Sequence, residues 1–228
     1  MATLYNPRII TDGLMLCLDA ANAKSYPGSG TTWYDLSGNG NDGTLLNDPT
    51  YSSSNNGAFV FDGTNDYVDV VGDYHLLSEM TISLWFKPTN TITGGANQVG
   101  RIWGKGGDFE CRFDGGGTAV AGKLACDLGG TNNLTSVNDV WNNTVWYNLV
   151  IVLLTSSSEM YIQSELDSTG SRGSVAGQTA TFQIGKSASN FGSPFPGSIS
   201  SFKIYNRALT ETEIKQNYQA LRGRYGIW

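Results

Sequence analysis

The sequence predicts an all-β fold, a two-sheet antiparallel sandwich with one short C-terminal helix. Three observations carry this expectation. Short apolar or alternating segments recur along nearly the whole chain. Glycine, with 29 residues, joins serine, threonine and asparagine in the connections between them, and charged residues make up only 15% of the composition. Six Trp, eleven Tyr and nine Phe supply ample apolar area to close a core between two sheets.

In chain order, the first strand candidates are Leu14–Leu18, Ala58–Phe61, Tyr67–Val70 and Thr81–Lys87. Arg101–Trp103, Phe109–Phe113, Lys123–Leu128 and Val145–Leu154 follow, then Met160–Ile162, Thr181–Ile184 and Phe202–Tyr205. Period-two alternation is clearest at 81–87, where Ile82, Leu84 and Phe86 fall on one face and Thr81, Ser83 and Lys87 on the other. Gly94-Gly95, Gly104–Gly107 and Gly115–Gly117 read as hairpin turns. Near the end, Thr210-Glu-Thr-Glu213 is a capping box, with Leu209 and Ile214 as its hydrophobic staple. Tyr218 and Leu221 continue the apolar stripe, and Gly223 is the expected stop. This helix is expected to close one end of the core. No linker or repeat divides the chain, so residues 12–228 read as one domain behind an N-terminal arm, residues 1–11.

Charge narrows the function classes. The net charge is −6, and residues 1–90 hold three basic and ten acidic side chains. Without a basic stripe, counterion release cannot drive nucleic-acid binding. No apolar run reaches the length of a membrane span, and the first residues lack the pattern of a secretory signal. Cys17, Cys111 and Cys126 have no metal spacing. Cys111 and Cys126 fall on what read as neighbouring strands; buried free thiols are favoured over a cross-strand bond there.

Catalytic chemistry has few places to reside. His75 is the one histidine, in a polar segment, and no nucleophile elbow, His-Glu-x-x-His or phosphate loop occurs. Carboxylate pairs of the glycosidase kind are also missing along any one strand: Glu159 and Glu165 lie six apart, and Asp66 and Asp69 three apart, on opposite faces. The run Asp35-Leu-Ser-Gly-Asn-Gly40 repeats the start of a calcium loop, with Asp35, Ser37 and Asn39 as candidate calcium ligands and Asp62 or Asp66 as a further donor. Position twelve of such a loop is Leu46, not glutamate, so Asx turns at Asp35, Asn39, Asn41 and Asp42 are the competing reading. Trp33, Tyr34, Trp103, Trp141 and Phe191 border turns, where rings stack on sugars or fill the rim of a core.

Three spaced runs carry a family resemblance: Phe59-Val-Phe-Asp-Gly-Thr-Asn-Asp-Tyr-Val68, Thr81-Ile-Ser-Leu-Trp-Phe-Lys-Pro88, and Phe195 through Ile214. In this order they resemble the laminin-G-like, concanavalin-A-like jelly-roll family, which implies that the sandwich is a jelly roll. Gly13-Leu-Met-Leu-Cys-Leu-Asp-Ala-Ala-Asn22, the run Tyr26–Gly43 and the closing Gln216–Gly226 are similar to the version found in virion structural proteins of tailed bacteriophages. The resemblance implies a non-enzymatic structural or decoration protein on the virion surface, assembled in the host cytoplasm on a head, tail or fibre. Its partners would be other virion proteins and a host surface glycan. An extracellular bacterial carbohydrate-binding module is the alternative, and a divergent glycoside hydrolase stands third. The arm at 1–11 and the end Tyr225-Gly-Ile-Trp228 are expected assembly contacts, with a homo-oligomer on a cyclic axis left open.

Overall fold

The computed structural model describes residues 7–54, 57–72, 74, 78–93, 100–106, 108–114, 121–130, 133–174, 180–187 and 193–228. His75, Phe191, the glycine turns at 94–95 and 115–117, and residues 1–6 of the arm lie outside the described residues. The expected fold class is the observed one: two antiparallel sheets face each other as a jelly-roll sandwich, with one α-helix among the described residues, near the C-terminus.

The first sheet contains β1 (Leu14–Asp19), β4 (Thr50–Ser52), β5 (Ala58–Asp62) and β7 (Met80–Pro88). Its other strands are β12 (Tyr147–Leu153), β13 (Ser157–Ile162), β14 (Glu165–Ser171) and β16 (Pro196–Tyr205). They run in the order β14-β13-β12-β7-β16-β5-β4, and β1 also pairs with β16, alongside its C-terminal half. The second sheet contains β2 (Thr32–Trp33), β3 (Gly43–Leu46), β6 (Tyr67–Val70) and β8 (Gly100–Gly104). It is completed by β9 (Phe109–Phe113), β10 (Leu124–Leu128), β11 (Leu134–Thr135) and β15 (Phe182–Ile184), ordered β11-β10-β9-β8-β15-β6-β3-β2.

Alternate residues of each strand meet in the space between the sheets. From the first sheet come Ile82, Leu84, Phe86, Leu149, Ile151, Phe202 and Ile204; from the second come Phe109, Cys111, Phe113, Leu124, Cys126, Leu128, Phe182 and Ile184. Phe86 sits among Phe113, Trp141, Tyr147 and Phe195, with ring centroids 5.6–6.0 Å apart. Such a ring contributes about 1.5–3 kcal/mol by burial alone. Cys111 and Cys126 are directly opposed across β9 and β10; both are free, buried thiols, as the sequence reading favoured. Burial and then the neighbouring Cys111 push the Cys126 thiol well up.

The helix forms where its cap was read. Thr210 accepts from Glu213 N while the Glu213 side chain accepts from Thr210 N, and α1 runs over Glu211–Leu221. Its α-helical part ends at Leu221, just before Gly223 as expected, but Gly223 is not left-handed; Arg222–Tyr225 tighten into a 3-10 turn, and the left-handed residue is Gly226, at φ 73°. The helix also does not close an end of the core. It lies across the outer face of the first sheet, where Ile214 and Leu209 join Val150, Val152, Tyr161 and Tyr205. Beside them Tyr225 and Tyr218 stack on Trp85, at centroid distances of 4.1 and 5.6 Å. Arg224 locks this tail with paired bonds of 2.7 and 3.1 Å to Asp19 on β1. At the other terminus, Arg8 O accepts from Gln216 and Ile10 N donates to Asn217, so residues 8–10 run along the helix. Tyr225 is therefore buried, and Trp228 is the large exposed side chain of the C-terminal end.

Candidate functional site

The two sandwich sheets leave two outer faces. Helix α1 and the C-terminal tail cover the first with apolar side chains. The second sheet's outer face is different in kind. Because β9 and β10 send Phe109, Cys111, Phe113, Leu124, Cys126 and Leu128 inward, the pleat sends Glu110, Arg112 and Asp127 outward. Register then aligns them. Thr44, Asp69, Gln183, Gly104, Glu110 and Asp127 form one continuous cross-strand row over β3, β6, β15, β8, β9 and β10. Arg101 and Arg112 are paired in the neighbouring row.

These groups are bonded into a ladder. Arg112 Nη1 donates to Asp127 Oδ2 at 2.7 Å and to Glu110 Oε1 at 3.3 Å. Arg101 Nε donates to Glu110 Oε2 at 3.0 Å, and Asp114 lies 3.9 Å from Arg112. Gln183 Nε2 donates to Asp69 Oδ1 at 2.9 Å. Burial works against the charge of Arg112, but Asp127, then Glu110 and Asp114, hold its guanidinium above the ordinary value. The row is graded in depth. Thr44 is exposed, Asp69 and Tyr67 are half-buried, and Gln183, Glu110 and Asp127 are buried. At its open end Lys186 Nζ lies 4.7 Å over the Tyr67 ring.

Among the described residues of this face, Arg101 Nη1 and Gln183 Oε1 are buried and make no hydrogen bond to the protein. Gly104, between Gln183 and Glu110 in the row, has no room for a side chain: a Cβ there would stand 2.5 Å from Ser187 Oγ and 2.8 Å from Glu110 Cβ.

The residues singled out in the sequence fall elsewhere. Asp35, Ser37 and Asn39 come together in one turn beside β1. Asp35 Oδ1 accepts from Cys17 N and Ser37 N, and Oδ2 from Ser37 Oγ and Asn41 N, at 2.6–3.1 Å. Asn39 Nδ2 donates to Ser37 Oγ at 2.9 Å. As folded, then, all four lone-pair sites of the carboxylate hold backbone and hydroxyl donors of the turn. Asp62 and Asp66 make a turn of their own: Asp62 N donates to Asp66 Oδ2, and Asp62 accepts from Thr64 N at 2.7 Å. Among the described residues, no group of three or more His, Cys, Asp or Glu is placed to hold a metal ion. Trp33, Trp103 and Trp141 are core side chains with no exposed ring; Tyr34 is exposed. Glu159 accepts from Tyr161 Oη, and Glu165 is an exposed partner of Lys215.

The ladder residues escaped the sequence reading although their signal was present. Phe109-Glu-Cys-Arg-Phe113 and Leu124-Ala-Cys-Asp-Leu128 each alternate an apolar face with a charged one. The cross-strand opposition of Glu110 and Asp127 followed from the same register that opposes Cys111 and Cys126.

The model of the concanavalin A-like lectin/glucanases superfamily matches residues 62–215. No curated protein matches the chain. Among solved structures, the binding domain of Paraclostridial Mosquitocidal Protein 1 is similar with a TM-score of 0.68 at 12% identity; the match covers 91% of this chain and 52% of that one. This chain thus spans about half of the toxin's binding domain. Domain 4 of AbnA, a GH43 extracellular arabinanase from Geobacillus stearothermophilus, in complex with arabinotriose, has a TM-score of 0.66 at 18% identity over 90% of this chain and 98% of the domain. A Trypanosoma rangeli sialidase has 0.65 at 15% identity, over 91% of this chain and 33% of the enzyme. At these identities the likeness is one of fold. With the family model spanning about two thirds of its length, the chain belongs to the concanavalin A-like lectin/glucanases superfamily, as a jelly roll of the laminin-G-like kind.

Proposed function

We propose that this protein is a lectin-like domain that binds glycans on the outer face of its second sheet without cleaving them. The observation that carries the reading is the cross-strand ladder of charged and amide side chains there, buried yet left with an unpartnered donor and an unpartnered acceptor. Sugar recognition requires such a floor, because each bound hydroxyl needs fixed donors and acceptors in a site shielded from water. Glu110 and Asp127 are opposed across β9 and β10, two carboxylates on one face as a glycosidase requires. Arg112 argues against cleavage, since its guanidinium bonds both carboxylates and fills the place where a glycosidic oxygen must enter. The arabinotriose complex of AbnA domain 4 adds support, as a domain of this size and fold with a bound oligosaccharide. A glycan array followed by calorimetric titration tests the reading. Binding that is lost in E110A/D127A, with the glycan recovered intact, is the expected result, and silence on every glycan overturns it.

A virion surface is the setting we propose for this binding. It is supported by the resemblance of residues 13–43 and 216–226 to phage virion versions of the domain, two segments that flank the family match and meet through Asp19 and Arg224. Genome context tests it: capsid or tail genes beside this one are expected, and a metabolic locus would count against it.

A further inference from the structure

We infer that Cys111 and Cys126 are a latent disulfide: they close into a cross-strand S–S bond when the chain folds in the presence of a small-molecule disulfide, and the finished sandwich shields them from it. The inference concerns the core side of β9 and β10 and is independent of the glycan-binding reading.

The phase of the hydrogen-bond ladder carries it. Opposed residues of an antiparallel pair alternate between hydrogen-bonded partners and closer, non-hydrogen-bonded ones. At one end of β9 and β10, Asp114 N donates to Lys123 O at 3.1 Å; at the other, Gly129 N donates to Asp108 O at 2.8 Å. Counting by twos from either end, the hydrogen-bonded pairs are Arg112–Ala125 and Glu110–Asp127, which leaves Cys111–Cys126 between them as a non-hydrogen-bonded pair. The flanking strands agree. Leu124 N donates to Ser136 Oγ and Leu128 N to Asn133 Oδ1, so the even-numbered residues of β10 turn their backbone away from β9. Phe109 O accepts from Lys105 N, so the odd-numbered residues of β9 turn theirs toward β8. Such a pair sets its Cα atoms about 4.5 Å apart, within the roughly 4.4–6.8 Å that a disulfide spans. Both side chains already point into the core from that position, so rotation about Cα–Cβ brings the sulfurs together without a shift of backbone. Cys17 does not compete, because it lies on β1 in the other sheet, opposite Lys203.

The oxidant is a disulfide of the glutathione kind. One cysteine, as thiolate, attacks a sulfur of oxidised glutathione, forming a mixed disulfide and releasing one glutathione. The second cysteine then gives up its proton and attacks the protein sulfur of the mixed disulfide, releasing the other glutathione. Two protein thiols are oxidised by two electrons, one glutathione disulfide is reduced to two thiols, and both protons leave with them. In the folded protein neither step has room. Cys111 and Cys126 are 0% exposed, on the inward face shared with Phe109, Phe113, Leu124 and Leu128, and a close-packed core has no space for a tripeptide adduct. Burial, ahead of the contact with Cys111, also holds the Cys126 thiol well above its ordinary value and so suppresses the attacking thiolate. Closure therefore belongs to the chain before the two sheets meet. Once made, the bond pins the register that aligns Glu110, Arg112 and Asp127 on the opposite face.

The test is to refold the full chain from urea in a buffer of reduced and oxidised glutathione, and to hold the native protein in the same buffer at room temperature. After acid quenching, unfolding and alkylation, intact mass counts the free thiols. One free thiol, on Cys17, and a proteolytic fragment linking Cys111 to Cys126 are expected after refolding, whereas the native sample keeps all three thiols over hours. The bond joins positions fifteen apart in the chain, so the linked protein should melt about 5–10 °C above the reduced one. Three free thiols after refolding, a link through Cys17, a persistent glutathione adduct, or a lower Tm in the linked protein overturns the pairing. Closure in the native sample as fast as on refolding overturns the shielding. The chain is also exported to the bacterial periplasm, and if urea refolding yields no folded protein, the thiol count of the exported protein decides. Cys17→Ala is expected to leave the link unchanged, and its loss in that variant counts against the pairing.

Discussion

Replacing Arg112 by methionine is the sharpest stability test of the ladder. Its guanidinium bonds Asp127 at 2.7 Å and Glu110 at 3.3 Å, and the three side chains are 10%, 10% and 2% exposed, so solvent screens these bonds little. Methionine keeps most of the volume and removes the cation that bonds Glu110 and Asp127 to each other across β9 and β10. Breaking a buried pair by deleting one partner costs about 3–5 kcal/mol. At roughly 2–4 °C of Tm per kcal/mol for a chain of this size, the melting temperature should fall on the order of 10 °C. Adding Asp127→Asn, while Arg101 still bonds Glu110 at 3.0 Å, should recover most of the loss, because it is the uncompensated charge that costs, not the missing contact area. Urea unfolding followed by tryptophan fluorescence measures both steps. A loss below about 1 kcal/mol for Arg112→Met would mean that the face is wet and its charges screened like surface pairs, and the argument for a shielded binding floor would go with it.

Other parts of the fold give independent tests. The bond from Arg207, with the Thr210 N–H and hydroxyl, draws the Glu213 carboxyl down from 4.5 to about 2. Its folded value being the lower one, this stabilisation is complete above the ordinary glutamate value and lost as pH falls from there toward 2, so Glu213→Gln should flatten that acid limb in a Tm-against-pH series. Tyr225→Ala should cost about 3 kcal/mol by emptying the stack on Trp85, and Tyr225→Phe about 1 by losing the 3.0 Å bond to Ser200, both read by urea unfolding. For calcium at Asp35, Ser37 and Asn39, an ion would have to displace four hydrogen bonds from the Asp35 carboxylate, so equal Tm values in chelator and in millimolar calcium are expected. A rise of several degrees that disappears in Asp35→Asn would restore them as ligands.

What the sequence made legible was what local chemistry writes. Ile82, Leu84 and Phe86 announced the inward face of a strand by period two, although Thr81, Ser83 and Trp85 on its other face are buried as well, Trp85 beneath the C-terminal tail; Thr210 with Glu213 announced a helix start because both halves of the box lie within four residues. The helix end was read in place, but the 3-10 turn that follows it was not, because Gly223 is permitted a left-handed backbone but not obliged to take it; Gly226 takes it instead, next to Tyr225, which stacks on Trp85, 140 residues away in sequence. The ladder stayed hidden for a related reason. A motif search looks along one strand for carboxylates, whereas Asp69, Glu110 and Asp127 stand on three strands and become neighbours only through register.

The contrast between the two outer faces bears on why the ladder exists. This chain is able to cover a sheet with apolar groups, as Ile214, Leu209, Tyr218 and Tyr225 do on the first sheet. On the second it instead buries Arg101, Glu110, Arg112, Asp127 and Gln183 on adjoining strands. Buried ion pairs of this kind are commonly no better for stability than hydrophobic residues of the same volume, and an orphaned guanidinium nitrogen and amide oxygen each add a desolvation cost of about 1–3 kcal/mol. Stability alone therefore does not account for the pattern. A face kept polar for binding does, which is the reading proposed for this sheet.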